Sequence, residues 1–445
     1  MTADQSMYAS ATENTYSLLD KENMQIIHNR IARATWLLAG LCSGSLTPFL
    51  VQAQQVITIA AFPAVDEIAK AAIPLWKKTH PNVEVKVVSR AFPDHHTAMT
   101  TALSTSSNLP DVMVIEFGYV ARFAEGGGLE DLGVAPFNFK QQQARFVPFS
   151  YRQGTARSGA VVAAPADIGP GTLLFRTDII KKAGVTEADL TKSWDSYVAS
   201  GIKIKAATGS YLMAHARDIK DIVIRTDIKP GEGLYLDAKG KVLVDTPRFV
   251  RAFELAKKVR ESKLDGKINA WSNEWSEGFK RGTITTQMSG AWLAGHLSNW
   301  LAPETKGLWR AAQLPEKSWG SYGGSFYTIP KGSKNKILAW EFIQMMTLNP
   351  EMQLRAFKSQ DAFPALMDVH NDAFFDQPID FLNGQKARVL WREAARQITA
   401  VDVNKLDPIA EEIINTEMDK VLDQNKDIRT ALADAKSLIE RRARR

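Results

Sequence analysis

Between residues 56 and 117 the hydrophobic period switches repeatedly between two and three to four, and this alternation restricts the fold most. Residues 56–62, VITIAAF, are a short apolar run of strand type. Residues 65–81 then place Ile68, Ala72, Leu75 and Trp76 at helical spacing, and Pro81 ends the helix. Residues 83–89, VEVKVVS, alternate as a strand. Residues 96–107 read as a second helix and 110–117, PDVMVIEF, as a third strand. Parallel strands need a crossover, usually a helix, so a β-α-β-α-β order predicts a mainly parallel sheet flanked by helices. Right-handed crossovers follow.

The alternation resumes after a stretch punctuated by proline and glycine, AAPADIGPGTLLFRTD at 163–178. A second such cluster, WGSYGGSFYTIPKGS, spans 319–333. These two clusters are the expected crossovers between two α/β lobes. The C-terminal third reads as amphipathic helices. With 445 residues, 45% of them hydrophobic and 23% charged, the chain can bury a large core without disulfides or a structural metal.

The N-terminus reads differently. Arg30 and Arg33 precede an apolar stretch within residues 35–53, which closes on small residues. That order is expected of a secretory signal peptide cut after Ala53, and residues 1–53 are assigned to it and a preceding tail. The stretch is broken by Gly, Ser and Pro, and a membrane span needs about 20 apolar residues. The single cysteine, Cys42, lies inside it, behind Leu41 rather than the small residue of a lipid-anchoring site. The polar residues before Met24 leave the translation start open between Met1 and Met24. A periplasmic location is the expectation.

Several chemistries lack their signatures. EGGGLEDL has no Lys-Ser/Thr to complete a phosphate loop, and no dinucleotide fingerprint, His-Glu-x-x-His or Gly-x-Ser-x-Gly occurs. No cofactor and no metal are expected. His95 and His96 are adjacent, so their side chains diverge on a helix or a strand, and no third ligand accompanies them. A net charge of +6 is mildly basic, and the ERRARR tail is read as a solvated helix end rather than a nucleic-acid patch.

Six tryptophans fall between positions 271 and 319. Large amphipathic rings are favoured where a surface grips something, though a Trp-rich core accounts for them equally. Trp292 stands out. It sits in QMSGAWLAGHL beside Gly290 and Ala291, small residues that clear space around the indole.

Taken in order, several stretches resemble the solute-binding proteins of ABC importers, the carbohydrate-binding group that includes maltose-binding protein. They are LPDVMVIEFGYVARFAEGGGLEDL at 109–132, the first crossover with its following helix, KSWDSYVASGIKIKAATG, QMSGAWLAGHL, GSFYTIPKGSKNKILAWEFIQMMTLNPEMQLR at 324–355 and then DAFPAL. The resemblance implies two α/β lobes with the ligand between them, and closure recognised by a permease in the inner membrane. On this resemblance the first lobe would comprise residues 54–166 and 325–372, the second 167–324 and 373–445. It implies a monomeric, non-catalytic receptor for a carbohydrate or related polyol. A secreted carbohydrate-active enzyme and a receptor for a sugar-alcohol phosphate are the alternatives.

A pyranose has an apolar face for an aromatic ring and hydroxyls for carboxylates and amides. On that reading Trp292 is the first stacking candidate. Tyr322 follows, with Gly323 and Gly324 beside it in the second crossover. Trp271 and Trp275 come next, with Asn273 and Glu274 as polar partners. Asp167 in the first crossover and Glu116 after its strand are the expected hydroxyl acceptors, and Phe62 ends the first strand where α/β sheets place ligands. VDVNKLDPIAEE, at 401–412, lacks the aromatic residue that maltose-type binders have there, so the site is differently shaped or smaller.

Overall fold

The computed structural model describes residues 55–444. The expected signal peptide, Cys42 and the choice of start codon lie outside the described residues. Strands β1 (Gln55–Ala61), β2 (Val83–Ser89) and β3 (Val112–Glu116) alternate with helices α1 (Val65–Thr79) and α2 (Phe92–Thr105), and α3 (Phe117–Glu125) follows. β1 pairs in parallel with both β2 and β3, as the alternation predicts. Val112, Met113, Val114 and Ile115 of β3 are all buried, because this strand lies inside the sheet with helices covering both faces.

The remaining strands are β4 (Ala164–Arg176), β5 (Thr286–Gly290), β6 (Trp309–Ala312), β7 (Ser321–Thr328) and β8 (Phe363–Pro364). The sheet path is β2-β1-β3-β7-β4-β5, with β6 and β8 also paired to β4. Here the parallel pattern gives way. β7 is antiparallel to β3 and to β4, and β5 and β6 are antiparallel to β4. The second lobe keeps parallel pairing at single bridges, Tyr211 with Ile284 and Met213 with Asp265. The cause is the route of the chain. β4 runs out of the first lobe and β7 runs back, so the two connections must oppose one another.

The first Pro/Gly cluster is therefore not a loop. It is one 13-residue strand. Its first half, through Ile168, pairs with β7 and β8, and its second half, from Gly171, pairs with β5 and β6. Register shifts fall beside Pro165 and Pro170, which have no N–H to give to a ladder. Between them, a Cβ on Gly169 would lie 1.9 Å from the Tyr322 carbonyl oxygen. Gly323 and Gly324 take φ of 82° and 129°, open only to glycine at low cost. The two crossover strands therefore approach closely, with interrupted ladders and permissive backbone.

One buried cluster joins Trp194, Tyr197, Phe253, Ile414 and Leu432, so helices Asp407–Gln424 and Ile428–Ala443 are packed into the second lobe. Another joins Ile57, Trp76, Val114 and Phe342 and continues to Phe279, Trp309 and Trp391, so the core runs through the crossover.

Asp111 fastens the first lobe. Its carboxylate accepts from Thr58 N–H of β1 at 2.9 Å, Ser333 Oγ at 2.7 Å and Asn335 Nδ2 at 3.2 Å. This explains an aspartate at the start of β3: it ties two strands to the entry of helix Lys336–Leu348. Asp111→Ala leaves Thr58 N–H unpaired and is expected to cost about 2–3 kcal/mol, since bonds to charged groups exceed neutral ones. Urea unfolding of the two proteins checks this.

Candidate functional site

Trp292 lies at the end of β5, against the crossover strands, and is half-buried. Its indole Nε1 donates to the Tyr322 carbonyl oxygen at 2.8 Å. A Cβ on Gly290 would stand 2.3 Å from that nitrogen, and one on Gly323 3.0 Å from it. The small neighbours therefore serve the indole first: they let it lie on bare backbone and bond to β7. The expectation that they clear a path for a ligand is corrected to this extent.

The same point above Gly323 is 3.9 Å from Glu116 Oε1. Glu116 is the N-cap of α3, and its Oε2 accepts from Gly118 N–H at 2.7 Å. Its backbone N–H donates to His96 Nε2 at 3.1 Å, while His96 Nδ1 bonds to the Phe92 carbonyl at 2.9 Å. The second bond requires a proton on Nδ1, leaving Nε2 as acceptor, so His96 is neutral. Burial agrees, pushing its pKa down to about 4. His95 Nε2 reaches the Val114 carbonyl at 2.6 Å. Both rings thus hold the backbone around Glu116.

Asp167 sits in β4 at the crossover, where its Oδ1 accepts from Ser325 N–H at 3.1 Å. Glu116 and Asp167 each have one oxygen engaged with a backbone N–H. Burial pushes Glu116 up to about 7, aided by Glu411 and Asp167, and pushes Asp167 up to about 6.

The structure brings Glu116, Trp292 and Gly323 together, with Tyr322 and Gly324 in the same strand and Asp167 beside Ser325 and Gly324. Tyr322 is half-buried and carries the Arg225 guanidinium 4.7 Å above its ring. Phe62 is 7% exposed and packs edge-on against Phe92 and His95 and tilted to His96, behind Glu116. Trp275 lies beneath Trp271, with ring centroids 5.1 Å apart, and is closed off from solvent. It is 2% exposed, bonded to Gln287 Oε1 at 3.3 Å and packed on Phe279, so it is a core residue. Trp271 is 59% exposed and its ring runs nearly parallel to Trp292, 5.9 Å away. Asn273 and Glu274 are exposed at the start of helix Asn273–Arg281.

Sequence reasoning missed the second lobe's polar wall. Asp218, Asp221 and Arg225 come from helix Arg217–Val223 and the turn after it. Arg225 Nη1 donates to the Asp221 carbonyl at 2.7 Å, while its buried Nε has no partner among the described residues. Burial, then repulsion from Asp221, raises Asp218 to about 7. The signal was present: charges at i, i+3 and i+7 interrupt a helix whose other face, Ile219, Ile222 and Val223, is buried. Glu411, in the stretch that lacks an aromatic, completes the wall and bears electrostatically on both Glu116 and Arg225.

These carboxyls set a pH dependence. A carboxyl whose folded pKa is raised binds its proton more tightly folded than unfolded, so its contribution is lost as pH climbs through the folded value. The buried histidines act oppositely, but only below the free imidazole value near 6.5. Above that, Glu116, Asp218 and Asp407, the last raised by burial to about 8, dominate. The unliganded protein is expected to lose melting temperature between about pH 6.5 and 8, and Glu116→Gln to flatten that slope, read by scanning calorimetry across pH.

A family model described as bacterial extracellular solute-binding protein matches residues 71–382. A lactose-binding protein of Rhizobium radiobacter is 23% identical over 361 residues, covering 76% of this chain and 82% of that protein. An arabinooligosaccharide-binding protein of Bacillus subtilis (strain 168) is 23% identical over 282 residues, covering 60% of this chain and 63% of that protein. Among solved structures, an extracellular solute-binding protein of family 1 superposes with a TM-score of 0.74 at 22% identity, over 87% of this chain and 99% of that one. The ABC transporter associated binding protein from B. animalis subsp. lactis Bl-04, in complex with beta-1,6-galactobiose, gives 0.73 at 23% identity, over 87% and 96%. The described fold is thus the two-lobed one of these receptors, and the chain belongs to the bacterial extracellular solute-binding protein family.

Proposed function

We propose that this chain captures a sugar or related polyol between its lobes and delivers it to the permease of an ABC importer, from a periplasmic location reached through the N-terminal signal. The carrying observation is the meeting of Trp292 and Glu116 over Gly323. An indole fixed by its N–H presents an apolar face beside a carboxylate oxygen, at the strands where the lobes join. That pairing matches a pyranose, apolar on its face and hydroxylated at its rim. The lactose- and arabinooligosaccharide-binding relatives support the same ligand class.

Lobe boundaries at residues 54–166 with 325–372, and 167–324 with 373–445, are part of this reading. They are supported by the packing of helices Lys336–Leu348 and Pro350–Gln360 on α1, and of helix Ile428–Ala443 on helix Pro247–Glu261. Closure would rotate one lobe on the other about β4 and β7, driven by the ligand's higher affinity for the closed form. Glu116, Asp167, Asp218 and Asp221 outnumber Arg225 at the site, which disfavours a phosphorylated ligand. Ligand binding would involve Phe62, Glu116, Asp167, Trp271, Trp292, Tyr322, Gly323 and Gly324, with Phe62 acting from behind Glu116.

Calorimetric titration of the purified protein with neutral sugars, polyols and sugar phosphates tests the proposal. Micromolar binding of a neutral sugar, with no product formed on incubation, supports a receptor. Binding of sugar phosphates alone, or turnover of a glycan, rejects it.

A further inference from the structure

Trp292 is the inner end of a row. Trp271 lies 5.9 Å from it with ring planes 14° apart, and Trp300 lies 6.4 Å from Trp271 at 19°. At these separations parallel rings are offset rather than face to face, so each leaves part of a face uncovered. The inner ring, Trp292, is half-buried, and the two beyond it are open to solvent, Trp271 59% and Trp300 54% exposed.

The row is built, not incidental. Residues 292, 296 and 300 would drift about 80° around an α-helix. The segment Leu297–Leu301 is instead a π-helix, whose wider turn brings Trp300 back toward His296. His296 touches all three indoles, at 5.2 Å, 6.0 Å and 5.5 Å between centroids. Trp271 holds φ of 68°, a left-handed conformation that bulky residues rarely adopt. That conformation puts its ring in line while Ser272 begins the next helix by accepting from Trp275 N–H.

We propose that this row is an extended carbohydrate platform, so that the ligand is an oligosaccharide of at least three units whose outer rings leave the cleft over Trp271 and Trp300. This rests on the carbohydrate reading above. The steps between indoles are about the size of one pyranose unit, and the inner ring is the one beside Glu116. The flanking side chains fit a glycan better than a protein helix: Ser272, Asn273, Glu274 and Asn299 are polar, and the last three are exposed. Asn273, Glu274 and the Asn299 amide oxygen offer partners for hydroxyls, while Ser272 Oγ is engaged with Asn269 O and Trp275 N–H.

The test is calorimetry of wild type, Trp300→Ala and Trp300→Phe with three series: galactose, lactose and galactosyl-lactose; arabinose to arabinotetraose; maltose to maltopentaose. In the series that binds, wild-type affinity is expected to rise at the third unit. Trp300→Ala loses about five- to tenfold for trisaccharides and longer, the scale of one aromatic contact, and less than about twofold for shorter sugars. Trp300→Phe keeps most of the gain. An unchanged melting temperature shows that Trp300→Ala is folded. Binding that ignores the third unit, or an equal effect of Trp300→Ala at every length, overturns the platform and leaves the receptor standing. No binding in any series removes the carbohydrate reading and the platform with it.

Discussion

Trp292→Ala is expected to weaken sugar binding by about a hundredfold, the loss typical of a central aromatic anchor. Two effects combine. The ligand loses the indole face, and the Tyr322 carbonyl of β7 loses the donor 2.8 Å away. Trp292→Phe separates them. It keeps a ring but no N–H, and a fall of about tenfold is expected, the worth of one buried hydrogen bond. Calorimetric titration of both variants with the sugar bound by wild type gives the comparison. Wild-type affinity in Trp292→Ala would make Trp292 a packing residue and move the site elsewhere.

Gly169→Ala is expected to be the most damaging single methyl in the protein. The added carbon would fall 1.9 Å from the Tyr322 carbonyl oxygen, 2.7 Å from its carbon and 3.2 Å from the Trp292 indole nitrogen. The first two are backbone atoms and cannot swing away as a side chain can. β4 and β7 must part, and the bond from Trp292 to Tyr322 goes with them. A cost of about 4 kcal/mol or more follows, at the exceptional end for a point substitution. Gly126→Ala is the control. Its Cβ would meet Arg122 O at 3.4 Å, its φ of −67° suits alanine, and little change is expected. Urea unfolding of the two variants, with titration of whatever remains folded, reads both stability and binding. A mild Gly169→Ala would mean that the crossover strands yield easily.

Trp292 and the crossover strands are therefore one construction, and that explains what could be read in advance. Strands and helices of the first lobe were legible because burial on one side or both writes itself into a local period of two or 3.6. Gly290 and Trp292 were legible as a pair, but the purpose of the glycine was not. It depends on Tyr322, thirty residues later, whose carbonyl comes close only when β4 and β7 pair. Trp275 had the same local credentials as Trp271 and lies in the core. No property of residues 271–275 alone distinguishes an indole packed on Phe279 from one on the surface. Asp218, Asp221 and Arg225 went unread because a charged helix face normally meets water.

The sequence by itself determined the element types, the β-α-β start and the two proline- and glycine-marked crossovers, since each rests on neighbours within one turn or one strand; the two-lobed class followed from the resemblance of ordered stretches along the chain. Only the tertiary structure decided that the first crossover is a continuous strand, that the connecting strands oppose one another, and which indoles face solvent. Those depend on which distant backbone lies alongside: Trp292 and Tyr322 are thirty residues apart, and Gly169, which packs against both, lies more than a hundred residues before them.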